Sequence, residues 1–156
     1  METAFTATDK INILLLLATS VGALGVYWQV RVAAKSQKAM FLKDLYMKLR
    51  NDKDISDAYY LIEYGKFEYS SSFHGSKIEP KIDRLLTLFD IVCELYFQGT
   101  ISKREMIFFE YQFLRVYNNT EIQKYLQFLI CFYASVGANK LPFSSFQSYA
   151  SKMRKV

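Results

Sequence analysis

Three carboxylates, Asp83, Asp90 and Glu94, recur at a spacing that puts them near one stripe of a helix, with Thr87 and Gln98 beside them. Carboxylates on facing bundle helices can hold two metal ions, but that architecture uses paired Glu-x-x-His motifs. The sole histidine, His74, lies in a Ser-rich loop, where a solvated imidazole is the expectation. The carboxylates are therefore expected to form a polar seam, paired with Lys or Arg of neighbouring helices and able to fix helix register. Cys93 and Cys131 sit in apolar stretches at helical spacing and are expected to be buried free thiols. Four-ligand zinc needs more Cys and His than the chain has. The chain has no G-x-x-x-x-G-K or G-x-G-x-x-G phosphate loop and no G-x-S-x-G elbow. No enzyme, catalytic residue, metal or other cofactor is expected. Most tyrosines fall on helix faces assigned to packing. Tyr59, Tyr60 and Tyr64 are the exception to inspect as a binding surface, because Tyr is enriched at hot spots.

The elements that would position these groups are helices. Only 2 Pro and 6 Gly interrupt the 156 residues, and hydrophobic residues make up 51% of them. The first element is a membrane anchor. Ile11 to Val30 carries no charged residue and is about the length needed to cross the hydrocarbon core. Ile11, Leu15 and Gly22 belong to that run, and Tyr27 and Trp28 close it at headgroup level. Arg31, Lys35, Lys38 and Lys43 follow, whereas Glu2, Asp9 and Lys10 precede it. The positive flank stays inside, so residues 1–10 are placed outside, 11–30 across the bilayer and 31–156 in the cytoplasm. A cleaved signal peptide would carry its positive charge before the run, not after it. Ala18, Gly22 and Val26 share one face, and Thr19 and Ala23 another, a spacing that lets membrane helices approach and self-associate.

The anchor continues into a helix with Met40, Leu42, Leu45, Tyr46 and Leu49 at helical spacing. A second helix is expected over 55–67 and a long polar loop over about 68–79. The third helix, from Pro80 to Gln98, is apolar over so wide an arc that several neighbours must bury it. Its last turn contains "ELYFQG", the core of a viral cysteine protease site, with Cys93 where that site has Glu. The stretch continues two apolar rows, so it reads as folded helix and not as a linker. Gly99 can close that helix, and Ser102 with Glu105 forms a capping box that opens the fourth, from Lys103 to Tyr117. Thr120 with Gln123 repeats the pattern for a fifth, in which Ile122, Leu126, Leu129, Ile130 and Tyr133 should face inward to about Val136. A last short helix places Phe143, Phe146, Ala150 and Met153 on one face and Lys152, Arg154 and Lys155 at its tip. It would dock on the bundle or lie on the membrane surface. The fold class is thus all-α, an N-terminal transmembrane helix running into a cytoplasmic antiparallel bundle of about five helices.

The stretch from Ile82 to Tyr117 resembles an uncharacterised bacterial family catalogued as domain of unknown function 4760. The likeness rests on Asp83, Leu85 and Leu86, the pair Phe89–Asp90, and the connection Gly99-Thr100-Ile101-Ser102. The acid after the aromatic is more often Glu in that family. The resemblance implies a bacterial, membrane-attached setting and nothing catalytic. The expected function is a non-enzymatic, single-pass membrane protein that binds a protein partner or itself. Alternatives are a membrane effector or immunity factor in phage or interbacterial conflict, or an unfamiliar enzyme. The expected partners are the lipid bilayer and a protein or second copy. Nucleic acid is not expected, because the basic residues are dispersed apart from the juxtamembrane and C-terminal groups.

Overall fold

The computed structural model describes residues 7–153, so the flanking charges Glu2, Arg154 and Lys155 lie outside the described residues. Among those residues the chain is all-helical, with α1 at Ala7–Asn51, α2 at Lys53–Glu63, α3 at Glu79–Phe97, α4 at Lys103–Tyr117, α5 at Thr120–Ser135 and α6 at Ser144–Met153. It forms two compact units, residues 1–43 and 44–156.

The first unit holds the N-terminal part of α1, which is long and apolar enough to cross a membrane. Its apolar side chains lie open: Leu15 is 59% exposed, Tyr27 55% and Trp28 72%. Two of its hydroxyl groups are satisfied within the helix, as a hydrocarbon setting favours. Thr19 Oγ1 donates to the Leu15 carbonyl at 2.9 Å, and Ser20 Oγ to the Leu16 carbonyl at 2.7 Å. The Arg31 guanidinium sits 5.1 Å from the Tyr27 ring centroid.

In the second unit α3 is the central helix. Ile82, Leu85, Leu86, Phe89, Val92 and Cys93 are fully buried along it. It packs against α2, α4 and α6, which is why its apolar arc is wide. Each such side chain contributes roughly 1.5–3 kcal/mol on burial. The last turns of α1 add Leu45 and Leu49 to the core, and Tyr46 meets Phe109 edge-on at 6.2 Å.

Local signals explain most boundaries. Gly99 adopts φ +75°, with Thr100 N–H donating to the Leu95 carbonyl at 2.9 Å and Gly99 N–H to the Tyr96 carbonyl at 3.0 Å. That is a Schellman closure of α3. Ser102 N–H then donates to Glu105 Oε2 at 2.7 Å, completing the capping box.

Four expectations are corrected. The second helix runs over Lys53–Glu63, not 55–67, because Asp52 caps it and Gly65, at φ +66°, ends it. Phe67 is buried beyond that end, in a loop that starts at Tyr64. Thr120 is not a cap but the first residue of α5. Asn119 holds the cap, its Oδ1 accepting from Glu121 N–H at 3.0 Å and Ile122 N–H at 3.1 Å. Cys93 is buried as expected, but Cys131 is exposed. Leu129, Ile130 and Tyr133 are only half-buried.

Candidate functional site

The polar stripe of α3 has partners, but not the basic ones expected. Asp90 Oδ1 accepts from Phe146 N–H at 2.9 Å, and Glu94 Oε2 accepts from Ser145 Oγ at 2.6 Å. Both carboxylates meet the first turn of α6, whose free amides and positive dipole end favour an anion. Hydrogen bonds from Ser145 and then Gln98 hold the Glu94 carboxyl below its ordinary range. Asp83 instead accepts from Tyr125 OH at 2.7 Å, and burial pushes its carboxyl up. The seam therefore fastens α6 and α5 to α3. The Lys and Arg pairs lie elsewhere on α3, where Lys81 binds Asp57 at 2.8 Å and Asp54 at 3.2 Å, and Arg84 also binds Asp54.

His74 is engaged as well. In its neutral Nδ1–H form it donates to Glu79 Oε1 at 2.9 Å and accepts from Tyr69 OH at 3.0 Å, with its ring 4.4 Å from Phe128. Gly75 N–H donates to Glu79 Oε2 at 2.6 Å. These bonds, with Phe67 and Phe73 packed edge-on at 5.6 Å, pin the loop before α3. His74 contacts neither Asp90 nor Glu94 through any of them. Among the described residues no group of three or more His, Cys, Asp or Glu converges as a metal ion requires.

The arrangement best suited to binding is a tyrosine-rich cleft of about 310 Å³, within the size range of ligand and anchor pockets. Leu49 and Arg50 of α1, Tyr59, Tyr60 and Glu63 of α2, and Tyr111 and Gln112 of α4 are among its walls. Glu63 organises it. Its carboxylate accepts from Tyr111 OH at 2.6 Å, Tyr59 OH at 3.1 Å and Arg115 Nε at 3.1 Å, while Arg115 also reaches the Glu63 carbonyl at 2.7 Å. The Tyr111 hydrogen bond leads the effects that keep the Glu63 carboxyl below its ordinary range. Burial and then Glu63 push the Tyr59 phenol up, so both phenols stay protonated donors at neutral pH. The cleft thus offers fixed hydrogen-bonding and aromatic surface around the Glu63 carboxylate.

At its mouth Tyr60 and Tyr64 stack 5.7 Å apart and are 42% and 67% exposed, and Tyr59 meets Tyr60 edge-on at 5.5 Å. Gln112 Oε1 is buried with no hydrogen-bond partner. Of the tyrosines singled out in the sequence, Tyr60 and Tyr64 thus form an open surface, and Tyr59 is half-buried behind them. Their organisers, Glu63, Tyr111 and Arg115, carry no local motif, because they meet across 48 and 52 residues of chain.

Comparison with family models, curated proteins and solved structures gives no match for this chain.

Proposed function

We propose that the protein is a single-pass protein of the bacterial inner membrane whose helical bundle lies in the cytoplasm and holds a protein partner at the membrane. The anchor half of this reading is supported by the open apolar surface of α1 and by the basic run from Arg31 to Lys43 that follows it. The family resemblance supports the bacterial setting.

The observation that carries the binding half is the stacked Tyr60–Tyr64 pair beside the cleft. Exposed, rigid aromatic side chains cost little entropy to immobilise and favour a partner's apolar anchor. Recruitment is the mechanism: the anchor confines the bundle, and the tyrosine face selects what is held there. A photo-crosslinking residue in place of Tyr60, in living cells, tests it. The expected result is one dominant adduct, identified by mass spectrometry, that Tyr64→Asp abolishes while the helical spectrum is kept. Adducts no stronger than those from a crosslinker at Lys103, on another surface of the bundle, would reject the face as a docking site.

A further inference from the structure

The distal half of α5 is apolar and open along one face, although the Phe128 ring also packs on His74 at 4.4 Å. From Tyr125 to Ala138 the sequence has no charged residue. An uncharged helix of this length is too short to span a bilayer and is ordinarily a buried core helix or an interfacial one. Burial does not explain it here. Tyr125 and Leu126 are buried, but Phe128 is 38% exposed, Phe132 50% and Val136 62%, with Leu141 38% exposed in the segment that follows. Phe128 and Phe132 stack 6.0 Å apart along one face.

The charge of this region says what covers that face. From Tyr125 to the end of the chain there are Lys140, Lys152, Arg154 and Lys155, and no Asp or Glu, while Lys124, at the start of the helix, pairs with Glu121 at 2.7 Å. The other 16 basic residues stand against 15 acidic ones, so four of the five net formal charges reside here. An uncovered apolar helix face within the net-positive part of a chain has the two attributes of a segment lying in an anionic lipid surface. The sequence offers that role to α6 only as the alternative to docking, and α6 does bury its apolar face on the bundle, with Phe146 and Ala150 fully buried. We propose that the distal half of α5, through Phe128, Phe132 and Val136, inserts into the headgroup boundary of an anionic bilayer. This gives the bundle a second membrane contact, and it rests on the membrane-anchored reading above.

Cys131 is exposed on this half of α5 and Cys93 is buried, so the native full-length chain can be labelled at one site. An environment-sensitive fluorophore on Cys131 is read after reconstitution into phosphatidylethanolamine–phosphatidylglycerol vesicles. The expected result is a blue-shifted label, quenched by nitroxide on the lipid chains and not by aqueous iodide. The shift should weaken in phosphatidylcholine and be lost in F132D/V136D, a pair open enough to solvent to leave the bundle's helical spectrum intact. The same label on K53C in a C131S background should stay open to iodide. Quenching of the Cys131 label by iodide, in chains that resist alkaline extraction, overturns the contact and leaves the anchor standing. A label shielded from iodide but not reached by lipid nitroxide overturns it in favour of a second copy. An equal shift in phosphatidylcholine rejects the anionic preference. Chains released by alkaline extraction would instead refute the anchor on which the inference rests.

Discussion

At the scale of single residues, two neighbours separate what the sequence discloses from what it hides. Ser102 and Glu105 form the expected box, because its two hydrogen bonds are local and no better cap stands beside them. Thr120 and Gln123 spell the same pattern, yet Asn119 takes the cap and Gln123 Nε2 goes to the Tyr117 carbonyl at 2.6 Å. Asn is at least as good a cap as Thr, and a pattern search that prizes the second half of the box passes over it. Asn119→Ala should therefore cost about 1 kcal/mol of bundle stability, and Thr120→Ala only a few tenths, in urea titrations. The carboxylates supply a pH test. Glu63 and Glu79 have folded-state values below their unfolded ones, through the Tyr111 hydroxyl and the Gly75 amide respectively. The stability they contribute is complete above the unfolded value and is lost as pH falls through the folded one, from about pH 5 downward. Asp83, raised by burial, works the other way. The urea midpoint should fall with acidification over that range, and Glu63→Gln should flatten the fall.

At the scale of elements, α6 is the informative case. Its apolar spacing is legible, but spacing alone fits a bundle or a lipid surface. What decides is Asp90 reaching an α6 amide across 56 residues and Phe146 entering a ring cluster with Phe89 at 5.4 Å and Phe113 at 5.6 Å. No local pattern encodes contacts at such separations. Phe146→Ala should cost about 3–5 kcal/mol, as expected for a buried ring. Asp90→Ala, which strips one N–H of a charged acceptor, should cost about 1.5–3 kcal/mol and raise hydrogen exchange in α6 before the rest of the bundle. The third helix makes the opposite point. Its width of apolar surface announced a central helix, and Glu94 to Phe97 is its last turn, with Leu95 and Tyr96 half-buried. A protease that binds extended chain should therefore leave "ELYFQG" uncut in the native bundle and cut it after unfolding in urea. Rapid native cleavage would contradict the helix.

At the scale of the whole molecule, the chain carries a helix long and apolar enough to cross a membrane and a bundle with an open tyrosine cleft. The long apolar helix was the most legible feature, because an uncharged run with aromatic and basic flanks needs no tertiary partner to be understood. The tyrosine face was legible only as a question, since exposure depends on which helices leave it uncovered. The outer face of α5, with Phe128 and Phe132, was not singled out, because periodicity shows that a helix has an apolar side and not what meets it. Topology is the claim on which recruitment depends. It is tested most directly by a dual reporter at the C-terminus, in which a cytoplasmic fluorescent protein and a periplasmic phosphatase are read in alkali-washed membranes. The account predicts fluorescence without phosphatase activity, retained in the membrane fraction. Phosphatase activity without fluorescence would put the bundle outside the cell and contradict it.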